Sequence, residues 1–185
     1  MFAIVLATLL SSPAFALTPA EEAALARGEV VVHALPATRP RAVRIEAWVD
    51  VGADGAATWR ALTDYKAREA SSDVLTGYTV YVNEPSRTCI AWTGSRFGFD
   101  LRFHNCYGMD AARTRLTHDL DPSRPSDLAY ASGVYTLAAG PRGTRLAYVA
   151  ETDFGRPLPG FVTSWLGESG AREYLLDTKR RAEKR

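Results

Sequence analysis

The chain has 185 residues, 46% hydrophobic and 23% charged, which is enough for one well-buried core and too few to expect two domains. Its formal net charge is +1, and the basic residues are spread along the chain instead of gathered in one patch, so nothing marks it for nucleic acid.

Residues 1–16 combine an apolar stretch with a helix-breaking Pro13 and an Ala14-Phe15-Ala16 ending of the small-x-small form that signal peptidase recognises. The stretch is shorter than the roughly 20 helical residues a bilayer requires. It reads as an export signal cleaved after Ala16, which predicts a periplasmic or secreted protein, with a buried N-terminal helix as the alternative. Residues 17–28 are then an N-terminal helix or linker, and 29–185 form the main domain. Thr18-Pro19-Ala20-Glu21 has the form of a helix start, with Thr18 as N-cap, Pro19 at the first helical position and Glu21 in the capping-box position, and Gly28 closes that helix.

Glu29 to Leu35 reads as a short strand, and Pro36 to Pro40 as a turn. In 41–51, the alternation of Val43, Ile45, Ala47 and Val49 against Arg44, Glu46, Trp48 and Asp50 predicts a half-buried strand. Ala56 to Glu69 is helix-like, with Trp59 and Leu62 on one side. Six strand-like stretches follow, at 74–83, 88–93, 99–107, 113–120, 129–138 and 144–152, separated by short segments rich in turn formers. Such short connections predict an antiparallel meander. The terminal segment from Pro157 has Leu158, Phe161, Val162, Trp165 and Leu166 at helical spacing and resumes with Ala171, Tyr174 and Leu175 beyond Gly167-Glu168-Ser169-Gly170, where a kink is expected. The closing Lys179 to Arg185 reads as a solvated basic tail that complements the helix dipole, with membrane-surface contact as the lesser alternative.

The two cysteines, Cys89 and Cys106, fall on neighbouring strand candidates. A tight turn near Phe97-Gly98 aligns the face of Ile90 and Trp92 with that of Leu101, Phe103 and Asn105, which puts Cys89 opposite Cys106 on the outer face. In an oxidising compartment this register predicts a cross-strand disulfide, with two separate thiols as the alternative. Two thiols without a histidine pair fall short of a metal site, and the three histidines lack H-x-H or H-x-x-x-H spacing. The common nucleophile-elbow, phosphate-loop and dinucleotide motifs are absent from the sequence, and no cofactor is implied.

A single helix cannot cover a strongly curved antiparallel sheet, so this order of elements leaves apolar space between them. The strand Val43 to Asp50 followed by Ala56-Ala57-Thr58-Trp59-Arg60-Ala61-Leu62-Thr63-Asp64-Tyr65 resembles the opening of START-like, polyketide-cyclase-type proteins, the helix-grip superfamily also written SRPBCC. Gly133-Val134-Tyr135-Thr136-Leu137 with Gly143-Thr144-Arg145-Leu146-Ala147-Tyr148 looks like that family's late strand pair, and Arg156-Pro157-Leu158-Pro159-Gly160-Phe161 looks like its entry into the last helix. The resemblance implies an α+β fold in which a curved antiparallel sheet of about six to eight strands grips a long C-terminal helix, with short helices after the first core strand. Members of the superfamily include lipid and sterol carriers, coenzyme Q-binding proteins and aromatic polyketide cyclases. The family's Tyr-Pro and Phe-x-Pro segment is replaced here by Lys66-Ala67-Arg68-Glu69-Ala70, so one end of the cavity differs.

Alternation directs Tyr78, Val80, Trp92, Leu101, Phe103, Asn105, His118, Tyr135, Leu146 and Tyr148 inward, with Phe161 and Trp165 from the helix. Aromatic walls of this kind suit a hydrophobic small molecule such as a lipid, quinone or isoprenoid. The same rings could instead simply fill the core. His118 is the candidate general acid or base for a cyclase- or hydrolase-like alternative, whereas His104 reads as solvated surface beside Asp100 and Arg102. A protein-binding module of the cell envelope is the third reading, and a large exposed apolar patch would favour it.

Overall fold

The computed structural model describes residues 17–96, 98–157, 160 and 165–184, with the side chains of Trp165 and Leu166 excepted. The expected export signal and Phe161 lie outside the described residues, as does the Trp165 side chain.

Eight strands form one antiparallel sheet: β1 (Val31–Leu35), β2 (Val43–Val51), β3 (Leu75–Glu84), β4 (Arg87–Arg96), β5 (Phe99–Met109), β6 (Arg115–Leu120), β7 (Tyr130–Gly140) and β8 (Gly143–Asp153). Their order is β1-β2-β8-β7-β6-β5-β4-β3. Strands β3 to β8 are a continuous meander, and β2 closes against β8, so the consecutive strands β2 and β3 lie far apart in the sheet. Two short helices, α2 (Gly55–Thr63) and α3 (Tyr65–Ser71), carry the chain between them. The single helix read over 56–69 is divided because Asp64 ends α2 and caps α3, its carboxylate accepting the Ala67 N–H at 2.9 Å.

The inner face of β2 (Ile45, Ala47, Val49, Val51) packs with Trp59 and Leu62 of α2 and with the C-terminal helix α4 (Gly170–Glu183). Helix α4 turns Ala171, Leu175, Thr178 and Ala182 inward, a stripe at helical spacing. Complete burial of Leu175 contributes about 1.5–3 kcal/mol. Before α4 the backbone makes π-type turns over Trp165–Ser169, with non-helical dihedrals at Gly167 (φ −76°, ψ −105°), so the expected kink is at this glycine. A Cβ there would lie 3.5 Å from Val43 Cγ1, so the kink packs close against β2.

The end of α4 is only in part the solvated tail read from its charges: Arg180 and Lys184 are exposed, but Lys179 and Arg181 are held. Lys179 donates to the Asp50 carbonyl at 2.9 Å and pairs with Glu183, while Arg181 pairs with Asp177 at 2.7 Å and donates to the Ala61 carbonyl. These cations bind the helix to β2 and α2, which an isolated charge pattern does not reveal.

On the outer face, α1 (Pro19–Ala26) starts with the expected capping box between Thr18 and Glu21 and is followed by Gly28 at φ +83°. Leu25 of α1 closes over Val31 and Trp48. Arg145 joins this layer to the sheet, contacting Asp50 through Nε at 2.7 Å and Glu22 through Nη1 at 2.8 Å.

Cys89 and Cys106 are directly paired in the β4–β5 register and joined by a disulfide. His104, on the same outer face, is not solvated: only 8% exposed, it makes an Nδ1 contact with the Pro125 carbonyl at 2.8 Å. The segment after β6 folds back along β5, with Asp121 N–H donating to the His104 carbonyl and Asp127 N–H to the Arg102 carbonyl. This long-range cover lies beyond what strand alternation can predict.

Candidate functional site

Between the sheet and the helices α3 and α4 lies a cavity of ≈ 490 Å³, a size suited to one small ligand. Its wall comes from β2, β5, β6, β7 and β8, with Leu75 of β3 and Gly94 of β4, on one side and from α3 and α4 on the other. Among the residues expected inward, Leu101, Phe103, Asn105, His118, Tyr135 and Tyr148 line it. Trp92 does not; it is buried in the core, stacked obliquely on Tyr78 with ring centroids 5.7 Å apart. Leu146 is likewise buried in the core, and Val80, on the edge strand β3 next to a register shift, is 40% exposed.

The deep end is a set of aromatic rings with polar edges. Tyr135 and Tyr148, paired across β7 and β8, stack with centroids 4.2 Å apart and planes inclined by 4°. His118 stands beside them, its Nε2 3.3 Å from Tyr148 Oη. Enclosure, with a further contribution from the Arg68 charge, pushes the imidazole down to about 3, so His118 is neutral near pH 7. Burial raises the Tyr65, Tyr107 and Tyr135 hydroxyls and brings Tyr148 up to about 12, so these groups keep their protons.

Among the lining residues absent from the sequence-derived set are Arg68, Tyr107 and Tyr174. Arg68 lies three positions after Tyr65 on α3, so both side chains share one helical face, and that spacing was the available signal. Its guanidinium carbon is 4.4 Å from the Tyr174 ring centroid and 5.2 Å from that of Trp92. Its Nη1 donates to Tyr107 Oη at 3.4 Å, an oxygen that also accepts from Trp92 Nε1 at 3.2 Å. No carboxylate among the described residues pairs with Arg68. Burial works against its charge, but a guanidinium holds its proton throughout the ordinary pH range, so Arg68 remains a cation.

Charges at the rim behave differently. Arg96 reaches Asp73 at 2.8 Å and Glu173 at 3.5 Å, and Asp177 pairs with Arg181 at 2.7 Å. The described residues include no cluster of three or more histidine, cysteine or acidic side chains able to hold a metal ion. None of the described helices is long and apolar enough to cross a membrane.

No family model matches the sequence, and neither does any curated protein. Solved structures do match. A STAR-related lipid transfer protein from Xanthomonas axonopodis superposes with a TM-score of 0.70 at 12% identity, over 84% of this chain and 94% of that one. The Zhui aromatase/cyclase from Streptomyces sp. R1128 gives 0.55 at 15% identity, over 77% and 87%. Human STARD10 gives 0.60 at 14% identity, over 83% and 68%. Its structural neighbours are START/SRPBCC proteins, and the chain has their helix-grip fold.

Proposed function

We propose that this protein is an exported carrier or sensor that holds a hydrophobic small molecule, of lipid, quinone or isoprenoid type, between the sheet and α4. The observation that carries the reading is the ≈ 490 Å³ cavity, where Leu101, Phe103, Tyr135 and Tyr148 give a largely apolar and aromatic sheet side and charged groups such as Asp73, Glu173 and Asp177 also belong to the lining. A lipid transfer protein among the structural neighbours supports it. Export is supported by the Ala14-Phe15-Ala16 signal and by the Cys89–Cys106 disulfide, a bond that persists in oxidising compartments. Native mass spectrometry of protein purified from its own host, followed by organic extraction, tests the assignment. The expected result is a small apolar species bound one to one and lost on extraction. Protein that arrives empty and takes up no apolar ligand would overturn it.

A cyclase- or hydrolase-like reading has one observation in its favour, the 3.3 Å contact between His118 and Tyr148 at the cavity wall. The depressed basicity of His118 counts against it, because a base with a conjugate acid near 3 takes up protons poorly at neutral pH. For the protein-binding reading, the exposed large hydrophobics among the described residues are Val80 and Phe99, less than a docking patch requires.

A further inference from the structure

Arg68 differs from the other charged groups around the cavity. Its Nε is enclosed and has no hydrogen-bond partner among the described residues, although the residue as a whole keeps some solvent contact. Buried polar atoms in folded proteins are nearly always satisfied, and buried charges are nearly always paired. The Tyr174 hydroxyl, Asn105 Oδ1 and His118 Nδ1 are also enclosed and without a hydrogen-bond partner among the described residues. These four groups belong to residues lining the same cavity, whereas the Tyr65 hydroxyl, likewise without a partner among the described residues, belongs to a residue outside that lining. Tyr107 Oη already accepts from Arg68 and Trp92, so its own proton remains available for donation.

The rings over the guanidinium offset part of its charge and leave the Nε–H without an acceptor among the described residues. A neutral carbonyl on a ligand would supply the acceptor but not the missing charge. An oxyanion supplies both, and charge-assisted hydrogen bonds are about twice as strong as neutral ones. With His118 neutral and the tyrosines protonated, Arg68 is the enclosed cation, which matches one negative charge better than two.

We infer that the ligand is a single-headed amphiphile whose carboxylate is received inside the cavity by Arg68, with the Tyr174 and Tyr107 hydroxyls beside it and an apolar body along Leu101 and Phe103. This rests on the cavity-binding reading and adds the chemistry of the head group.

Displacement of the neutral dye Nile red tests it, with laurate and methyl laurate as competitors of equal chain length. Laurate is expected to compete roughly ten- to hundredfold better than its ester, the value of a charged hydrogen bond. Arg68→Gln should remove that preference and Arg68→Lys should restore part of it. Equal competition by acid and ester on the unaltered protein overturns the head-group inference while leaving cavity binding in place, and this comparison requires no variant to fold. If Nile red and both competitors fail to bind at all, the cavity-binding reading falls, and the inference falls with it.

Discussion

Gly133 stands directly opposite His118 in the β6–β7 register, and a Cβ at position 133 would collide with the imidazole Nε2 and lie 2.9 Å from the Val149 carbonyl. The bare backbone of this residue is therefore what leaves room for the His118 ring beside Tyr148. Gly133→Ala must push the ring toward the cavity and break its contact with the tyrosine hydroxyl. The expected cost is about 1–3 kcal/mol, typical of overpacking in an enclosed site. Denaturant unfolding reads the stability, and the histidine ring signals in NMR read the displacement.

The Cys89–Cys106 disulfide closes a segment with a sequence separation of 17 between adjacent strands. Restriction of the unfolded chain by a loop of this length is worth about 3 kcal/mol. The Cys89→Ala/Cys106→Ala double variant should therefore unfold at lower denaturant, and a reducing agent should destabilise the unaltered protein by a similar amount without affecting the variant. If the reducing agent has no effect on the unaltered protein, the bond contributes nothing to stability.

Arg145 contacts two carboxylates of very different exposure: the Asp50 side chain is 2% exposed and that of Glu22 is 45% exposed. Removal of the arginine leaves Asp50 as a buried, uncompensated charge, so Arg145→Met should cost about 3–5 kcal/mol. Adding Asp50→Asn to that variant should recover part of the loss. Glu22→Gln should barely shift the unfolding midpoint, because an exposed partner is already well solvated. It should instead speed hydrogen exchange in α1, which the Glu22 contact helps hold to the sheet.

Most of the architecture was legible in the chain because its strands alternate cleanly and its turns are rich in Gly, Pro, Asp and Ser. Alternation was sufficient to place Cys89 opposite Cys106, since period two and a tight turn leave little freedom of register. It failed for His104, because facing outward means facing solvent only if nothing folds over that face, and the 121–127 segment does. It also missed Arg68, whose place at the cavity depends on how α3 crosses the sheet after the break at Asp64. Its spacing of three from the buried Tyr65 was the one local signal, and a charged residue in a short polar helix is not otherwise marked as enclosed. Trp92 was misplaced for a related reason: pointing inward does not separate a cavity wall from the packed core behind it.

His118 ties the site to a pH dependence with a definite sign. Its folded value is pushed down to about 3 from an ordinary 6.5, chiefly by burial and secondarily by Arg68. Above pH 6.5 neither the folded nor the unfolded state binds this proton, and stability is unaffected. Between 6.5 and 3 only the unfolded chain binds it, so stability falls on acidification, with a limiting slope of about 1.4 kcal/mol per pH unit. His118→Gln removes this contribution and leaves the carboxylate titrations common to both proteins. Urea unfolding at several pH values across that window should show the unaltered protein losing stability faster than the variant, with the two curves converging toward neutrality apart from a constant offset. Curves that stay parallel throughout would mean that His118 takes up its proton as readily in the folded protein as in the unfolded chain, and that its enclosure between Tyr107, Tyr135 and Tyr148 does not hold it neutral.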